Sequence, residues 1–304
     1  MSAQGDDPTT PRKRVVVSTD AANEADDQFA IVHALLSPVL DVVGVAPAHF
    51  GRPGSLQASR AEVDRLLALL GRDDVVVADG ADRALVDEST AHESAASALL
   101  REASVAGPLT VCVLGPLTDV ASAILADPGF VEREVTVVWI GGPPYDGVEA
   151  VYGPEFNLIN DVAAANVVFA SGVELWQVPM PVYTHVGVGQ AELDRRVRPQ
   201  GELGAYLAET VRRYNVGRAA DFRSLGDSPA ISVTLNPFGA VWRRRPRTRF
   251  TAAAEMTPAI GHSRGPDVRV CERVDTRYLI EDFLAKLAAF AEGRPPTAER
   301  AASA

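Results

Sequence analysis

The chain has 304 residues, of which 47% are hydrophobic and 23% charged, a composition typical of a globular protein with a sizeable core. Its formal net charge is -11 and its pI is about 5.0, which argues against nucleic acid or an anionic membrane as the main partner. A cation or a neutral polar ligand is compatible with this charge. No stretch approaches the roughly 18 apolar residues that a membrane span requires.

The two ends of the chain are predicted to lie outside the folded domain. The polar residues 1–12 contain no apolar signal segment, so we expect a disordered tail there. Residues 293–304 are expected to be loose as well, which leaves residues 13–292 as a single domain. Cys112 and Cys271 lie in apolar runs without metal-binding spacing, so we expect both to be buried and the protein to be cytoplasmic.

Short β-branched runs alternate with longer amphipathic segments along this domain. The candidate strands are residues 14–18, 41–47, 74–79, 109–115, 135–141 and 173–179. The candidate helices are residues 26–37, 55–70, 92–104, 117–126, 161–171, 203–214, 227–235 and 277–291. This alternation predicts an α/β fold with a mostly parallel, Rossmann-like sheet flanked by helices on both faces. The basic run WRRRPRTRF, residues 242–250, is expected to form an exposed turn or hairpin.

A sheet of this kind binds its ligands beyond the carboxyl ends of its strands. Asp20, Leu114, Gly141 and Met180 follow or end predicted strands, and we therefore expect them at the same edge. The strands are apolar on both sides, as burial on both faces of a parallel sheet requires. The functional site is therefore predicted at this edge.

The first strand–helix junction carries a high density of acidic residues. In residues 15–36, VVVSTDAANEADDQFAIVHALL, Asp20 follows the strand and Asp26 and Asp27 lie in the first turn of the helix. Helix capping explains one or two acids there, because carboxylates bond free amides and suit the helix dipole. Three converging carboxylates would repel one another and raise each other's pKa values. A hard cation, Ca²⁺ or Mg²⁺, would relieve that repulsion, and capping alone is the alternative.

Six segments, in the same order along the chain, resemble motifs of the inosine-uridine preferring nucleoside hydrolase family. The first, STDAANEADD, corresponds to a DxDPGxDD motif in which Ser18 replaces the first Asp and two residues are inserted before the final pair. The others are VLGPLTDVASAI (113–124), VTVVWIGG (135–142), PEFNLINDVAAANVV (154–168), VPMPVYTHVGV (178–188, similar to a strand followed by a VTH turn) and LGDSPAISVTL (225–235). The resemblance covers residues 14–235 and implies a divergent member with the nucleoside hydrolase fold.

The resemblance also implies a Ca²⁺ ion at the base of a ribose pocket. Asp20, Asp27 and Asp227 would be carboxylate ligands, and Leu114 would contribute its backbone carbonyl oxygen. Asp20 would in addition be the general base that takes a proton from the attacking water. The sequence around Asp227, LGDSPAI, is equally typical of a helix N-cap when it is considered alone.

Three further residues would contact the sugar if the resemblance holds. Asp26 would bind a ribose hydroxyl, while Glu155 and Asn157 would hold the far side of the sugar and its 5′-hydroxyl. The alternative for the EFN segment is turn chemistry before a helix, with Asn157 as the cap.

The chain departs from the family pattern at three positions. Gly226 stands where many members have the His of an HDPLA motif, which protonates the leaving base. The loop VAPAHFGRPG replaces VAGN, so His49 is the nearest polar side chain and a candidate sugar or base contact, or else a rim residue without a role. Glu149 stands where the family has another Asn.

The segment before Asp227 contains a further group of candidate base contacts. It corresponds to a flexible flap over the base in the family. Tyr214, Arg218 and Arg223 are either base contacts or residues of an exposed helix.

These residues together predict a calcium-dependent hydrolase that cleaves the N-glycosidic bond of a ribonucleoside or related N-riboside. The resemblance implies a small-molecule nucleoside substrate and a homodimer or homotetramer, with no nucleic acid polymer or membrane as partner. The first alternative is a calcium- and ribose-binding protein that has lost turnover, since Gly226 and the changed loop alter the family site. The second is a phosphatase with an aspartate nucleophile, which needs DxDx[TV]; the Ala-Ala-Asn that follows Asp20 does not fit that spacing.

Overall fold

Nine strands are found in residues 12–257 and 265–294, the part of the chain that the computed structural model describes. They are β1 (Lys13–Thr19), β2 (Leu40–Pro47), β3 (Leu109–Val113), β4 (Val135–Ile140), β5 (Glu174–Val178), β6 (Gly187–Gly189), β7 (Phe222–Ser224), β8 (Ala240–Arg245) and β9 (Val268–Val274). Seven form one sheet in the order β2-β1-β3-β4-β5-β9-β8, in which only β8 runs antiparallel to its neighbour. β6 and β7 form a separate antiparallel pair.

Helices flank this sheet and connect its strands. They are α1 (Asp27–Leu35), α2 (Ser55–Leu70), α3 (Ala95–Val105), α4 (Thr118–Ala126), α5 (Phe156–Asn160), α6 (Val162–Ser171), α7 (Met180–Tyr183), α8 (Gln190–Glu192), α9 (Gly201–Asn215), α10 (Ser228–Leu235) and α11 (Thr276–Ala291). Every helix predicted from the sequence is present, with ends that differ by a few residues. Among the described residues, none of the helices combines the length and apolarity needed to cross a lipid bilayer.

Burial on both faces explains the composition of the central strands. Successive side chains of a strand point to opposite faces, so a strand covered on both sides is apolar throughout. In β1, Val15 and Val17 pack into one core cluster and Val16 packs into the other. All three side chains are fully buried, which confirms the predicted α/β layering.

Three sequence predictions about the sheet need correction. Residues 74–79 form no strand; a single bridge joins Val77 to Val45 beside β2. The basic run 242–250 was predicted as an exposed turn or hairpin. Its first part is a strand, β8, that pairs antiparallel with the distant β9, and the sequence did not predict β9. Arg247, in the same run, is fully buried and donates hydrogen bonds to backbone carbonyls, including that of Val173 at 2.6 Å.

The structure tests the predicted burial of the two cysteines but not the predicted tails at the chain ends. Cys112 and Cys271 are both buried, as predicted. The tails predicted at the two ends fall almost entirely on residues 1–11 and 295–304, which lie outside the described residues.

Short hydrogen bonds tie together the carboxyl ends of the central strands. The amide of Leu114, just after β3, donates to Ser18 of β1 at 2.8 Å. The amide of Gly141, just after β4, donates to Val178 of β5 at 3.0 Å, and Met180 donates to Gly142 at 3.1 Å. The strand ends therefore form one continuous edge, on which the loops that follow β1, β3, β4 and β5 meet.

Candidate active site

Four buried carboxylates meet beyond the end of β1. Asp20 follows the strand, Asp26 and Asp27 lie at the start of α1, and Asp227 arrives at the start of α10. All four residues are between 2 and 7% exposed. One carboxylate oxygen from each of Asp26, Asp27 and Asp227 lies within 4.8 Å of the other two. Residues 200 positions apart are thus brought to one point by the order of the strands.

Helix capping does not account for these acids. Asp26 precedes α1 and Asp227 precedes α10, but neither side chain makes a capping hydrogen bond. The carboxylate of Asp26 instead accepts from the amide of Gly226 at 3.0 Å. The carboxylate of Asp27 accepts from the Thr19 hydroxyl at 2.5 Å. The carboxylates are therefore oriented toward one another rather than toward their own helices.

Burial and mutual repulsion strongly oppose ionisation of this cluster. Burial, followed by the charges of Asp27 and Asp26, holds the pKa of Asp20 well above its usual range. Burial and the charges of the same two residues also hold the pKa of Asp227 well above its usual range. Burial raises the pKa of Asp27 to about 6, although the Thr19 hydroxyl opposes the shift. A nearby positive charge would lower these pKa values again and favour the ionised carboxylates.

The donor set fits a hard divalent cation. Oδ2 of Asp20 is buried and has no hydrogen-bond partner among the described residues, which is costly for a carboxylate oxygen. The described residues that line the pocket include no His or Cys and offer carboxylate and carbonyl oxygens. Such oxygen ligands suit Ca²⁺ or Mg²⁺ rather than zinc or copper.

The end of β3 completes the floor beside the acids. Leu114 lines the pocket, and its carbonyl oxygen accepts from Nδ2 of Asn157 at 2.7 Å. A carbonyl oxygen has two lone pairs, so one remains for another partner. A Cβ atom on Gly115 would lie 2.9 Å from Oδ1 of Asp20. The absence of a side chain at Gly115 therefore lets Asp20 pack against the end of β3.

Glu155 also lines the pocket and is the N-cap of α5. Its buried carboxylate accepts from the amides of Gly142 at 2.8 Å and Leu158 at 2.9 Å. It also accepts from the amide of Asn157 at 3.3 Å and from the hydroxyl of Tyr183 at 2.8 Å. Glu155, rather than Asn157, is thus the residue that caps this helix.

These residues line one pocket that is partly open to solvent. Besides the acid cluster and Leu114, its lining includes Tyr152, Glu155 and Tyr183. Carboxylate, phenol and amide groups therefore face the same space.

His49 lies outside the residues that line this pocket. Its Nε2 contacts the hydroxyl of Thr118 at 2.9 Å, and its Nδ1 accepts from the amide of Gly51 at 3.2 Å. Thr118 in turn donates to Asp161 at 2.7 Å. Burial lowers the pKa of His49 to about 4, so the ring is neutral near pH 7. This geometry gives His49 a structural role, and we do not include it among the proposed sugar contacts.

The residues of the predicted flap reach the rim of the pocket. Arg223 contacts Glu24 and lies 3.2 Å from a carboxylate oxygen of Asp26. The hydroxyl of Tyr214 donates to Glu24 at 3.1 Å, and the guanidinium groups of Arg223 and Arg218 stack on the Tyr214 ring at 4.4 and 4.1 Å. Glu24, in the two-residue insertion, therefore connects the first loop to the flap.

Two pocket residues were not predicted from the sequence. Tyr152 and Tyr183 line the pocket, and their hydroxyl groups are hydrogen-bonded to each other. Tyr183 lies in the quoted segment VPMPVYTHVGV, where its departure from a VTH turn was the available signal. Tyr152 precedes the PEFN segment and carries no comparable signal.

Residues 15–281 match the family model described as inosine-uridine preferring nucleoside hydrolase. The chain belongs to the nucleoside hydrolase family. A similar curated protein is the probable uridine nucleosidase 2 of Arabidopsis thaliana, 28% identical over 229 residues, which cover 67% of this chain and 70% of the relative. The pyrimidine-specific ribonucleoside hydrolase RihA of Citrobacter koseri is 30% identical over 200 residues, 58% of this chain and 63% of the relative.

These findings confirm the family and the enzyme class that the sequence predicted, since nucleosidases and ribonucleoside hydrolases are N-glycosidases. Solved structures agree on the fold. A plant nucleoside hydrolase matches with a TM-score of 0.78 and 22% identity over 92% of this chain and 100% of the other. An inosine-guanosine nucleoside hydrolase matches with a TM-score of 0.74 and 19% identity, covering 92% and 99% of the two chains.

Proposed function

We propose that this nucleoside hydrolase is a calcium-dependent N-ribohydrolase that releases ribose and a free base from a ribonucleoside or related N-riboside. The main support is the meeting of Asp227 with Asp26 and Asp27 around one point, beside a buried Asp20 oxygen without a partner. The described residues that line the pocket include no cationic side chain, and Arg223 at its rim contacts only Asp26 of the four acids. The pocket that they border is also lined by Glu155, Asn157 and two tyrosines, which offer further hydrogen-bonding groups.

Asp20, Asp27, Asp227 and the carbonyl oxygen of Leu114 would hold the Ca²⁺ ion. Asp26 is better suited to a ribose hydroxyl, because Gly226 and Arg223 already bond its two oxygens and orient it. When bound, the cation would neutralise the acids, bind sugar hydroxyls and make a coordinated water more acidic. The distance between Leu114 and Asp227 along the chain makes this site dependent on the complete fold.

The protein's own residues supply the rest of the chemistry. Cleavage of the C1′–N bond passes through a sugar with oxocarbenium character, which the surrounding negative carboxylates stabilise. Asp20 accepts the proton of the attacking water through its unpartnered oxygen. Asp26 holds a ribose hydroxyl so that C1′ faces that water. Positioning and proton transfer are thus assigned to different acids.

The His that protonates the leaving base in many family members is replaced by Gly226 here, so no imidazole donates a proton from that position. A Cβ atom on Gly226 would lie 3.1 Å from Asp26 and 3.2 Å from the Tyr183 ring, so a side chain there would crowd the pocket. We therefore propose a pyrimidine or a specialised base as the leaving group. The printed names of the relatives, uridine nucleosidase and pyrimidine-specific ribonucleoside hydrolase, support this choice.

Ribose release from a panel of purine and pyrimidine nucleosides, with and without a chelator, tests the proposal. The expected result is release that needs Ca²⁺ and favours uridine or cytidine over inosine. Calcium-dependent nucleoside binding without any release would instead support the binding protein that has lost turnover. Release that is unaffected by the chelator would contradict the calcium site.

The assembly proposed with this function is a homodimer or homotetramer in the cytoplasm. The formal charge of -11 argues against nucleic acid or an anionic membrane as the main partner. Light scattering on the purified protein would measure the mass in solution, and a monomeric mass of 32.2 kDa would contradict the oligomer.

A further inference from the structure

Two tyrosines line the pocket beside Glu155. Tyr183 lies at the end of α7, directly after β5, and Tyr152 lies in the loop before α5. The Tyr183 ring is buried, whereas Tyr152 is 43% exposed. Their hydroxyl groups bond to each other, and that of Tyr183 also bonds to Glu155 at 2.8 Å. The carboxylate of Glu155 lines the pocket but already has a phenol as a hydrogen-bond partner.

The direction of these hydrogen bonds follows from the available protons. A tyrosine hydroxyl has one proton, and an ionised carboxylate can only accept. Tyr183 therefore donates to Glu155, and Tyr152 donates to the phenolic oxygen of Tyr183. The result is a chain of two phenols that ends on a buried carboxylate.

The carboxylate of Glu155 has no acceptor left for a substrate. A carboxylate offers about four lone-pair positions. Three are taken by the backbone amides of Gly142, Asn157 and Leu158, and the fourth by Tyr183. A sugar hydroxyl can bond to Glu155 only if it displaces Tyr183.

Asn157 is also partly committed to the fold. Its side-chain nitrogen donates one proton to Leu114 at 2.7 Å and the other to Ile140 at 2.9 Å. Asn157 can therefore offer a sugar hydroxyl only its side-chain oxygen. Of the two residues assigned to the 5′-hydroxyl, Glu155 has no free hydrogen-bond acceptor and Asn157 has one, its side-chain oxygen.

We propose that Tyr183 determines specificity at C5′ of the sugar, by withdrawing Glu155 from the substrate. The inference rests on the proposed function and on the sugar orientation that the family resemblance implies, in which Glu155 and Asn157 face the 5′-hydroxyl. The substrate class therefore extends to N-ribosides in which C5′ carries no hydroxyl or an apolar group, which react as well as those with a 5′-hydroxyl. A substrate without a 5′-hydroxyl gives up no hydrogen bond when C5′ lies next to the Tyr152 and Tyr183 rings. A 5′-hydroxyl at the same place has no charged hydrogen-bond partner.

The matched substrates uridine and 5′-deoxyuridine test this specificity. In the wild-type enzyme we expect kcat/KM values within about threefold of each other. Tyr183→Val places the first residue of the VTH turn at this position and frees Glu155, so the preference for uridine should rise about tenfold or more, the lower range for a hydrogen bond to a charged group. Tyr183→Phe, which keeps the ring, should shift the preference in the same direction and replaces the first variant if that one does not fold.

Tyr152→Phe is the matched control. It removes a hydroxyl of the same chain but leaves the Tyr183–Glu155 bond, so the ratio of the two kcat/KM values should stay at the wild-type value. A wild-type enzyme that prefers uridine tenfold or more, with no increase in the Tyr183 variants, would overturn the inference.

Calorimetric binding of ribose and 5-deoxyribose in the presence of Ca²⁺ separates this inference from the proposed function. Equal affinities in the wild type, and a preference for ribose in Tyr183→Val, would support the role of Tyr183 even if no nucleoside were hydrolysed. Hydrolysis of both nucleosides with a strong wild-type preference for uridine would support the proposed function and refute the role of Tyr183. Binding of neither sugar would refute the inference.

Discussion

Asp27→Asn is expected to stabilise the metal-free protein while it destroys the proposed calcium site. Burial raises the pKa of Asp27 from 3.8 to about 6. One pKa unit corresponds to about 1.4 kcal/mol, so holding this carboxylate ionised in the metal-free fold costs about 3 kcal/mol. Asparagine does not ionise, and its side-chain oxygen can still accept from Thr19. The variant should therefore gain up to about 3 kcal/mol of unfolding free energy at pH 8.

The pH dependence of the unfolding free energy tests the direction of this effect separately. Because the pKa of Asp27 is raised in the folded state, the native protein binds more protons than the unfolded chain between about pH 4 and 6. The penalty is absent below pH 4, grows as the pH rises through this window, and is complete above pH 6. The gain from Asp27→Asn should therefore be small at pH 4 and full at pH 8.

Urea denaturation in a chelator, and again with Ca²⁺, measures both effects. Calcium should stabilise the wild type strongly and the variant little, because binding to the folded state alone adds to stability. Asp282→Asn is the control, and it should lower the unfolding free energy instead of raising it. Burial opposes ionisation of Asp282, but the hydrogen bonds from His33 and Lys286 outweigh it and hold the pKa of Asp282 below its usual value. A metal-free Asp27→Asn protein that is less stable than the wild type at pH 8, or equally changed at pH 4 and pH 8, would refute this reasoning.

Three further substitutions test individual residues. Asp20→Asn should lower the catalytic rate by about 10²–10⁴-fold, the usual contribution of a general base, without lowering the unfolding midpoint; an unimpaired variant would remove Asp20 as the base. Gly115→Ala places a Cβ atom 2.9 Å from Asp20, so it should cost about 1–3 kcal/mol in urea denaturation and reduce activity, and unchanged values of both would contradict the close packing. His49→Ala should lose about 1–3 kcal/mol of stability but little catalytic rate, whereas a large fall in rate would return His49 to the substrate contacts. Burial lowers the pKa of His49 from 6.5 to about 4, so the stability that it adds above pH 6.5 is lost as the pH drops toward 4. The stability of the wild type relative to the variant should fall by about 3 kcal/mol in that window, which is enough to abolish or reverse the difference.

The central sheet was predictable because parallel strands buried on both faces are apolar throughout. The prediction failed where pairing depends on distant segments. Residues 74–79 have strand composition, but in the described structure only Val77 forms a bridge, next to Val45 at the edge of the sheet. The arginine-rich β8 owes its strand structure to β9, more than 20 residues further along. Arg247 is buried because backbone carbonyls accept its guanidinium protons, which no local pattern reveals.

The first part of the candidate site was also predictable, since the carboxyl ends of adjacent parallel strands share one edge. Asp20, Asp26 and Asp27 stood out by their charge and spacing alone. Asp227 did not, because its sequence is that of an N-cap and only the family resemblance assigned it to the cluster. The role of Tyr183 depends on where α7 and the loop before α5 place two phenols, which neither composition nor periodicity determines.

Calcium binding to the wild type and to Asp227→Ala tests the central claim most directly. Asp227 lies 200 positions from the first acid loop, so its contribution to the site exists only if the fold brings the acids together as described. Equilibrium dialysis should find about one Ca²⁺ per wild-type chain and at least a hundredfold weaker binding to the variant, with circular dichroism unchanged, as the loss of a charged ligand predicts. No calcium bound to the wild type, or undiminished binding to Asp227→Ala, would contradict the account.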